Sequence, residues 1–146
     1  MKKILYIFII SLFVNTSILC KESSYVTIIN SDNFSVSYLV EVMRSDLEQQ
    51  RGMMYRKSLD KNKGMLFLFK KPKSAVFWMK NTYISLDMIF IKENGFIDSI
   101  YENLEPLSLE KIKSRNEIIA VLEIPGGDVK INKINMNSKI ILENLD

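Results

Sequence analysis

Short apolar runs and period-two alternation dominate the chain, and both predict strands more often than helices. Residues 25–29 have strand composition and lead into a turn cluster at 30–33. Over residues 34–43, Val36, Tyr38, Val40 and Val42 fall on one face and Ser35, Ser37, Leu39 and Glu41 on the other, which predicts a half-buried strand. Ser45-Asp46-Leu47-Glu48 is a capping box that starts a short helix, ending near Gly52 with Arg51 in its last turn. A turn at 61–64 precedes a continuous apolar strand at 65–69, which Lys70-Lys71-Pro72-Lys73 is expected to break as a solvated turn. Two strands follow at about 75–79 and 86–91, and Asn94-Gly95 predicts a hairpin pairing the second with residues 96–103. The connection 104–116 holds one or two helical turns around 108–113. A strand at 118–124 ends in the corner Pro125-Gly126-Gly127-Asp128, where a short helix begins, and residues 139–143 form the last strand. The predicted fold is α+β and mainly β: a small single-domain, antiparallel-rich barrel or sandwich of about seven strands with two or three short helices.

The first twenty residues read as an address. Lys2 and Lys3 precede the apolar run 4–14, and 15–17 dilute it, as in a secretory signal peptide. The run is shorter than the ~20 residues of a spanning helix, although an uncleaved anchor remains an alternative. Cys20 is read as the lipidated residue of a lipoprotein, as the small residue before an ordinary cut, or as a bystander; bulky Leu19 before it fits a lipobox only loosely. Residues 1–20 are thus expected to be a signal peptide or lipoprotein signal, 21–146 a single β-rich domain, and the mature protein an exported one, periplasmic or membrane-anchored.

Composition narrows the chemistry. The chain has 146 residues, no histidine and one cysteine, which excludes a Ser-His-Asp or Cys-His site, a histidine-ligated metal and a disulfide within the mature domain. The net charge of +3 falls to about +1 once Lys2 and Lys3 are removed, and basic residues are interspersed with acidic ones, so no nucleic-acid partner is expected. Met53, Met54, Met65, Met79 and Met88 read as core filling; no metal and no cofactor are expected.

Candidate chemistry centres on residues 75–91, which hold the only tryptophan, Trp78, beside Lys80, Asn81 and Asp87. Charges in such apolar company need partners, so Lys80 and Asp87 are expected to share one buried polar constellation, either a structural clamp or a ligand site with Trp78 as its wall. Arg51 or Arg56 is a candidate for reaching a carboxylate there. Glu123, alone in the apolar run 118–124, is paired with Asp87 as candidate acid and base.

Arg51-Gly52-Met53-Met54-Tyr55-Arg56, Gly64-Met65-Leu66-Phe67, Phe77-Trp78-Met79-Lys80-Asn81-Thr82, Leu86-Asp87-Met88-Ile89-Phe90-Ile91, Glu102-Asn103 with Glu105-Pro106, and Val121-Leu122-Glu123 together resemble the domain-of-unknown-function 192 family. The resemblance spans about residues 26–142 and implies a compact β-rich domain, commonly exported in bacteria, with no established activity. Two departures stand out: Leu107-Ser108 where family members often carry a cysteine, and Asn137-Ser138 where a Gly-Asp turn is common. The expected role is noncatalytic binding of a small molecule, glycan or peptide in the cell envelope, through Arg51, Trp78, Lys80, Asn81, Asp87 and Glu123. The alternatives are a histidine-free hydrolase or transferase using Asp87 with Glu123 or Lys80, and an assembly module without a pocket.

Overall fold

The computed structural model describes residues 24–143 and 145; the expected signal segment and Cys20 lie outside the described residues. The elements run β1 (Ser24–Ile29), β2 (Ser35–Met43), α1 (Asp46–Arg51), β3 (Lys63–Lys73), β4 (Val76–Phe77), β5 (Leu86–Ile91), β6 (Ile97–Leu104), β7 (Ile112–Lys113), β8 (Ile118–Pro125), α2 (Asp128–Ile131) and β9 (Lys139–Glu143). Seven strands form one curled half-barrel sheet in the order β6-β5-β8-β3-β2-β1-β9, and β4 and β7 form a separate ribbon. All neighbours are antiparallel except β2 and β3, a parallel pair whose crossover carries α1. The two edges of the sheet approach at one corner, where Phe96 bridges Lys139 and the Ile140 N–H donates to the Gly95 carbonyl at 2.9 Å. The mainly-β, single-domain expectation holds, with two short helices among the described residues.

Alternation along each strand divides the core into two. Leu66, Ile89, Ile91, Leu122 and Ile124 point to the concave side and pack with β1, β2, α2 and β9. Met65, Phe67, Met88, Phe90 and Val121 point to the other side, under the segments that carry Met53, Ala75, Met79 and Ile112. Strand β5, between β6 and β8, is therefore buried along all six residues, as expected for a strand covered on both faces. Each large apolar side chain so buried contributes roughly 1.5–3 kcal/mol. Met53, Met65, Met79 and Met88 all lie within the second core.

Local signals explain most boundaries. The capping box forms as predicted: the Glu48 N–H donates to Ser45 Oγ at 3.3 Å, and the Ser45 N–H to Glu48 Oε2 at 2.8 Å. Six residues are too few for a stable helix alone. Gln49 Nε2 anchors α1 by donating to the carbonyls of Met43 and Leu68, both at 3.1 Å. At the hairpin only Gly95 of the Asn-Gly pair takes a positive φ (79°), and the Lys92 N–H donates to the Phe96 carbonyl, so the loop is a three-residue one with a bulge rather than the two-residue turn.

Two expectations fail. Lys70 to Lys73 do not break the strand: β3 runs through them, and Pro72 is accommodated because the register against β8 shifts between Leu68 and Lys73, where no ladder donor is needed. Residues 108–113 form no helix; Ile112 and Lys113 pair with Phe77 and Val76 instead, their apolar contact to the core outweighing a weak local preference.

Candidate functional site

Asp87 and Lys80 do not meet. Asp87 is fully buried on the concave side of β5, opposite a register shift in β6 that turns the Asn103 N–H inward. Its Oδ1 accepts from the N–H groups of Asn103 (2.6 Å) and Gly127 (3.0 Å), and its Oδ2 from the Val129 N–H (2.8 Å). The carboxylate thus ties β6 to the β8–α2 corner through three backbone donors. Beside it, Tyr38 donates its hydroxyl to Asp128 at 3.2 Å and accepts from Asn132 Nδ2 at 3.1 Å. Burial holds the Tyr38 hydroxyl well above its ordinary pKa and raises the Asp128 carboxyl as well. Lys80 is exposed, its ammonium 5.2 Å from the centre of the Trp78 ring. The buried Lys80–Asp87 constellation is therefore replaced by a clamp made with main-chain N–H groups.

Nor do Asp87 and Glu123 face one another. Asp87 pairs across the ladder with Ile124, and Glu123 with Met88 on one side and Met65 on the other. Cross-strand partners share a face and successive residues do not, so the two carboxyl groups lie on opposite sides of the sheet. The acid–base pair considered from sequence is not assembled.

Three of the predicted residues do come together. Arg51, Trp78 and Glu123 line one groove of about 440 Å³ on the convex side, between the end of α1, Phe67 and Phe69 of β3, and residues 73–78. Gly52 makes this possible: its φ of 44° and ψ of −131° turn the chain so that Met53 enters the core, and an added Cβ would lie 2.9 Å from Phe67 Cζ. Trp78 is 46% exposed, a groove wall rather than core. Phe67, Phe77, Phe90 and Tyr101 stack edge-to-face behind it at 5.0, 5.8 and 5.6 Å. The Lys73 ammonium sits 4.2 Å above the Phe69 ring.

Glu123 is the groove's buried carboxylate. It is 4% exposed, and among the described residues its Oε2 is a buried oxygen with no hydrogen-bond partner. Burial pushes its pKa up to about 8, against the pull of the Arg56 charge. Asn81 stands outside the groove wall and holds it: Asn81 and Tyr55 both adopt positive φ (56° and 66°), the Tyr55 N–H donates to the Asn81 carbonyl at 2.8 Å, and Asn81 Nδ2 donates to Tyr55 Oη at 2.9 Å. A tyrosine in that region is strained, and such strain persists where surrounding structure over-determines it.

A larger depression of about 690 Å³ surrounds Glu41 and Arg56. Its charges already answer one another, with Arg56 Nη1 and Nη2 at 2.6 and 2.7 Å from the two Glu41 oxygens and Lys63 at 2.7 Å from Asp60. Hydrogen bonding to Arg56 holds the Glu41 carboxyl below its ordinary pKa. The smaller groove holds the unanswered group and is the stronger candidate. Sequence reasoning missed Met53, Phe69, Lys73 and Phe77 as groove residues, which have the pattern of ordinary core and turn positions; Arg51, Trp78 and Glu123 were the ones it singled out.

The fold recurs in solved structures. A protein of Sinorhizobium meliloti 1021, provisionally named a transcription regulator, superposes with a TM-score of 0.81 at 33% identity, covering 86% of this chain and 97% of the other. A protein of unknown function from Novosphingobium aromaticivorans DSM 12444 gives a TM-score of 0.77 at 32% identity, covering 80% and 83%. No curated protein matches the chain. The DUF192 family model, described as an uncharacterized ACR, matches residues 27–142. With nearly the whole described fold inside that match, the chain belongs to the DUF192 family.

Proposed function

We propose that this domain is a noncatalytic binding protein that takes a small organic molecule, free or as the end of a peptide or glycan, into the groove between Arg51, Trp78 and Glu123. The observation that carries the reading is Glu123: a buried carboxyl oxygen without a partner among the described residues, on a residue that lines a groove with Met53, Phe69 and Trp78. Satisfied polar clusters elsewhere, such as that around Asp87, are structural, whereas this one lacks its complement. The name carried by the Sinorhizobium protein is not extended to this chain, whose near-neutral charge without its first twenty residues offers little attraction to nucleic acid. Backbone amide shifts recorded against a library of small fragments test the proposal. Fragments that bind should cluster their shifts on Arg51, Met53, Phe69, Lys73 and Trp78; binding confined to other surfaces would reject it.

The same reading places the protein outside the cytoplasm, on the strength of Lys2, Lys3 and the apolar run 4–14. Fractionation should recover a mature form in the cell envelope, released from the membrane by Cys20→Ser if Cys20 is lipidated. Full-length protein in the cytoplasm would end this part of the proposal.

A further inference from the structure

We infer that the ligand of this groove carries an organic ammonium, which enters between the aromatic walls and pairs with Glu123, and an anionic group that stays at the mouth beside Arg51 and Lys73. The inference rests on the binding reading and adds the ligand's chemistry to it.

Three features point to that class. Glu123 Oε2 is buried and has no donor within the described residues, and its residue lines the groove. A ligand ammonium supplies one, and its charge suits the faces of Trp78 and Phe69 on the way in; Lys73 already occupies such a position over Phe69. A methylene stem finds apolar surface on Met53, Phe69 and Trp78, in a groove that Gln49, Gln50, Ser74 and Thr82 also line. Arg51 and Lys73 would repel a ligand that is only cationic, so the second charge is negative. Arg56 acts on Glu123 from beyond the groove and favours its ionised form, the form an ammonium needs.

Proton balance makes the inference measurable. In the empty groove Glu123 keeps its proton to about pH 8. Pairing with an ammonium sends that proton to solvent, one per ligand bound, and the ligand nitrogen keeps its own. Affinity should then rise roughly tenfold per pH unit below that value. The other charged groups around the groove are Asp46, Arg51, Lys73 and Arg56.

Trp78, the only tryptophan, reports on the site by fluorescence. The purified protein is titrated with 6-aminohexanoate, hexan-1-amine and hexanoate at about pH 6, 7 and 8. The expected order is 6-aminohexanoate ahead of hexan-1-amine, both tightening with pH, and hexanoate weakest. Glu123→Gln should weaken 6-aminohexanoate by about tenfold or more and flatten its pH dependence, because its amide cannot ionise. Hexanoate as the best ligand, weakening as pH rises, would mean that Glu123 donates its proton to the ligand; it would overturn the ammonium inference and leave the groove reading intact. Silence from all three while fragments still map to the groove would also overturn the inference alone. Fragments failing to map there would remove the reading beneath it.

Discussion

Asp87→Ala is expected to cost the fold about 3–5 kcal/mol, a large share of what holds a small domain together. The loss comes from the three N–H groups of Asn103, Gly127 and Val129, from which the carboxylate accepts at 2.6, 3.0 and 2.8 Å; without it the buried Val129 N–H and the partly buried other two lose their acceptor. Charge-assisted bonds of this kind are the stronger ones, and here one side chain closes two elements onto a third. Asp87→Asn should fall between the parent and Asp87→Ala, since its amide offers one acceptor oxygen and turns an NH2 toward a remaining donor. Lys80→Met should lie within about 0.5 kcal/mol of the parent, as for an exposed side chain, and the double variant should be additive. Urea melts with unchanged slope and a shifted midpoint check all four variants against the parent. A double variant that regained the stability lost by Asp87→Asn would restore the direct Lys80–Asp87 pairing that the geometry replaces.

Glu123→Leu is expected to stabilise the protein, by an amount that grows with pH. The unfolded chain ionises this carboxyl near its ordinary 4.5, whereas the folded protein keeps it protonated to about 8. Between those values the folded state binds the extra proton, so Glu123's contribution to stability is fully present below the unfolded value and is lost as pH rises toward 8. The slope is about 1.4 kcal/mol per pH unit, on the order of 3–5 kcal/mol over the window. Leucine has no such loss and fills similar space among Met65 and Met88. Asp128, also raised by burial, acts in the same direction, and Glu41, lowered by Arg56, acts in the opposite one at acid pH. Both are common to parent and variant, so the difference between the two proteins isolates Glu123. Melts at about pH 5, 6.5 and 8 should show the gap widening steadily; a constant gap would mean that Glu123 is ionised in the fold throughout. A widening gap would mean that the carboxyl is held at a cost to stability, as a binding group is and a core residue is not.

Strand periodicity was legible wherever neighbouring positions differed sharply in polarity. Val36, Tyr38, Val40 and Val42 turn inward as the alternation requires, the Ser45–Glu48 box caps α1, and β9 spans the predicted residues, because each of these rests on interactions within a few positions. The run 70–73 was misread because a proline between lysines has the local chemistry of a turn, and only pairing with β8 reveals that the strand continues. Asp87 and Lys80, seven residues apart, were joined on the argument that buried charges need partners. The argument holds, but the partners are main-chain N–H groups of residues 103, 127 and 129, which no side-chain pattern displays. The sequence by itself determined the strands, the capped helix, the apolar setting of Asp87 and Glu123 and the family resemblance. Only the tertiary structure decided which carboxylate is satisfied and which is open. That depends on the parity of each strand position in a ladder built from distant segments, where one step in register moves a side chain from one core to the other.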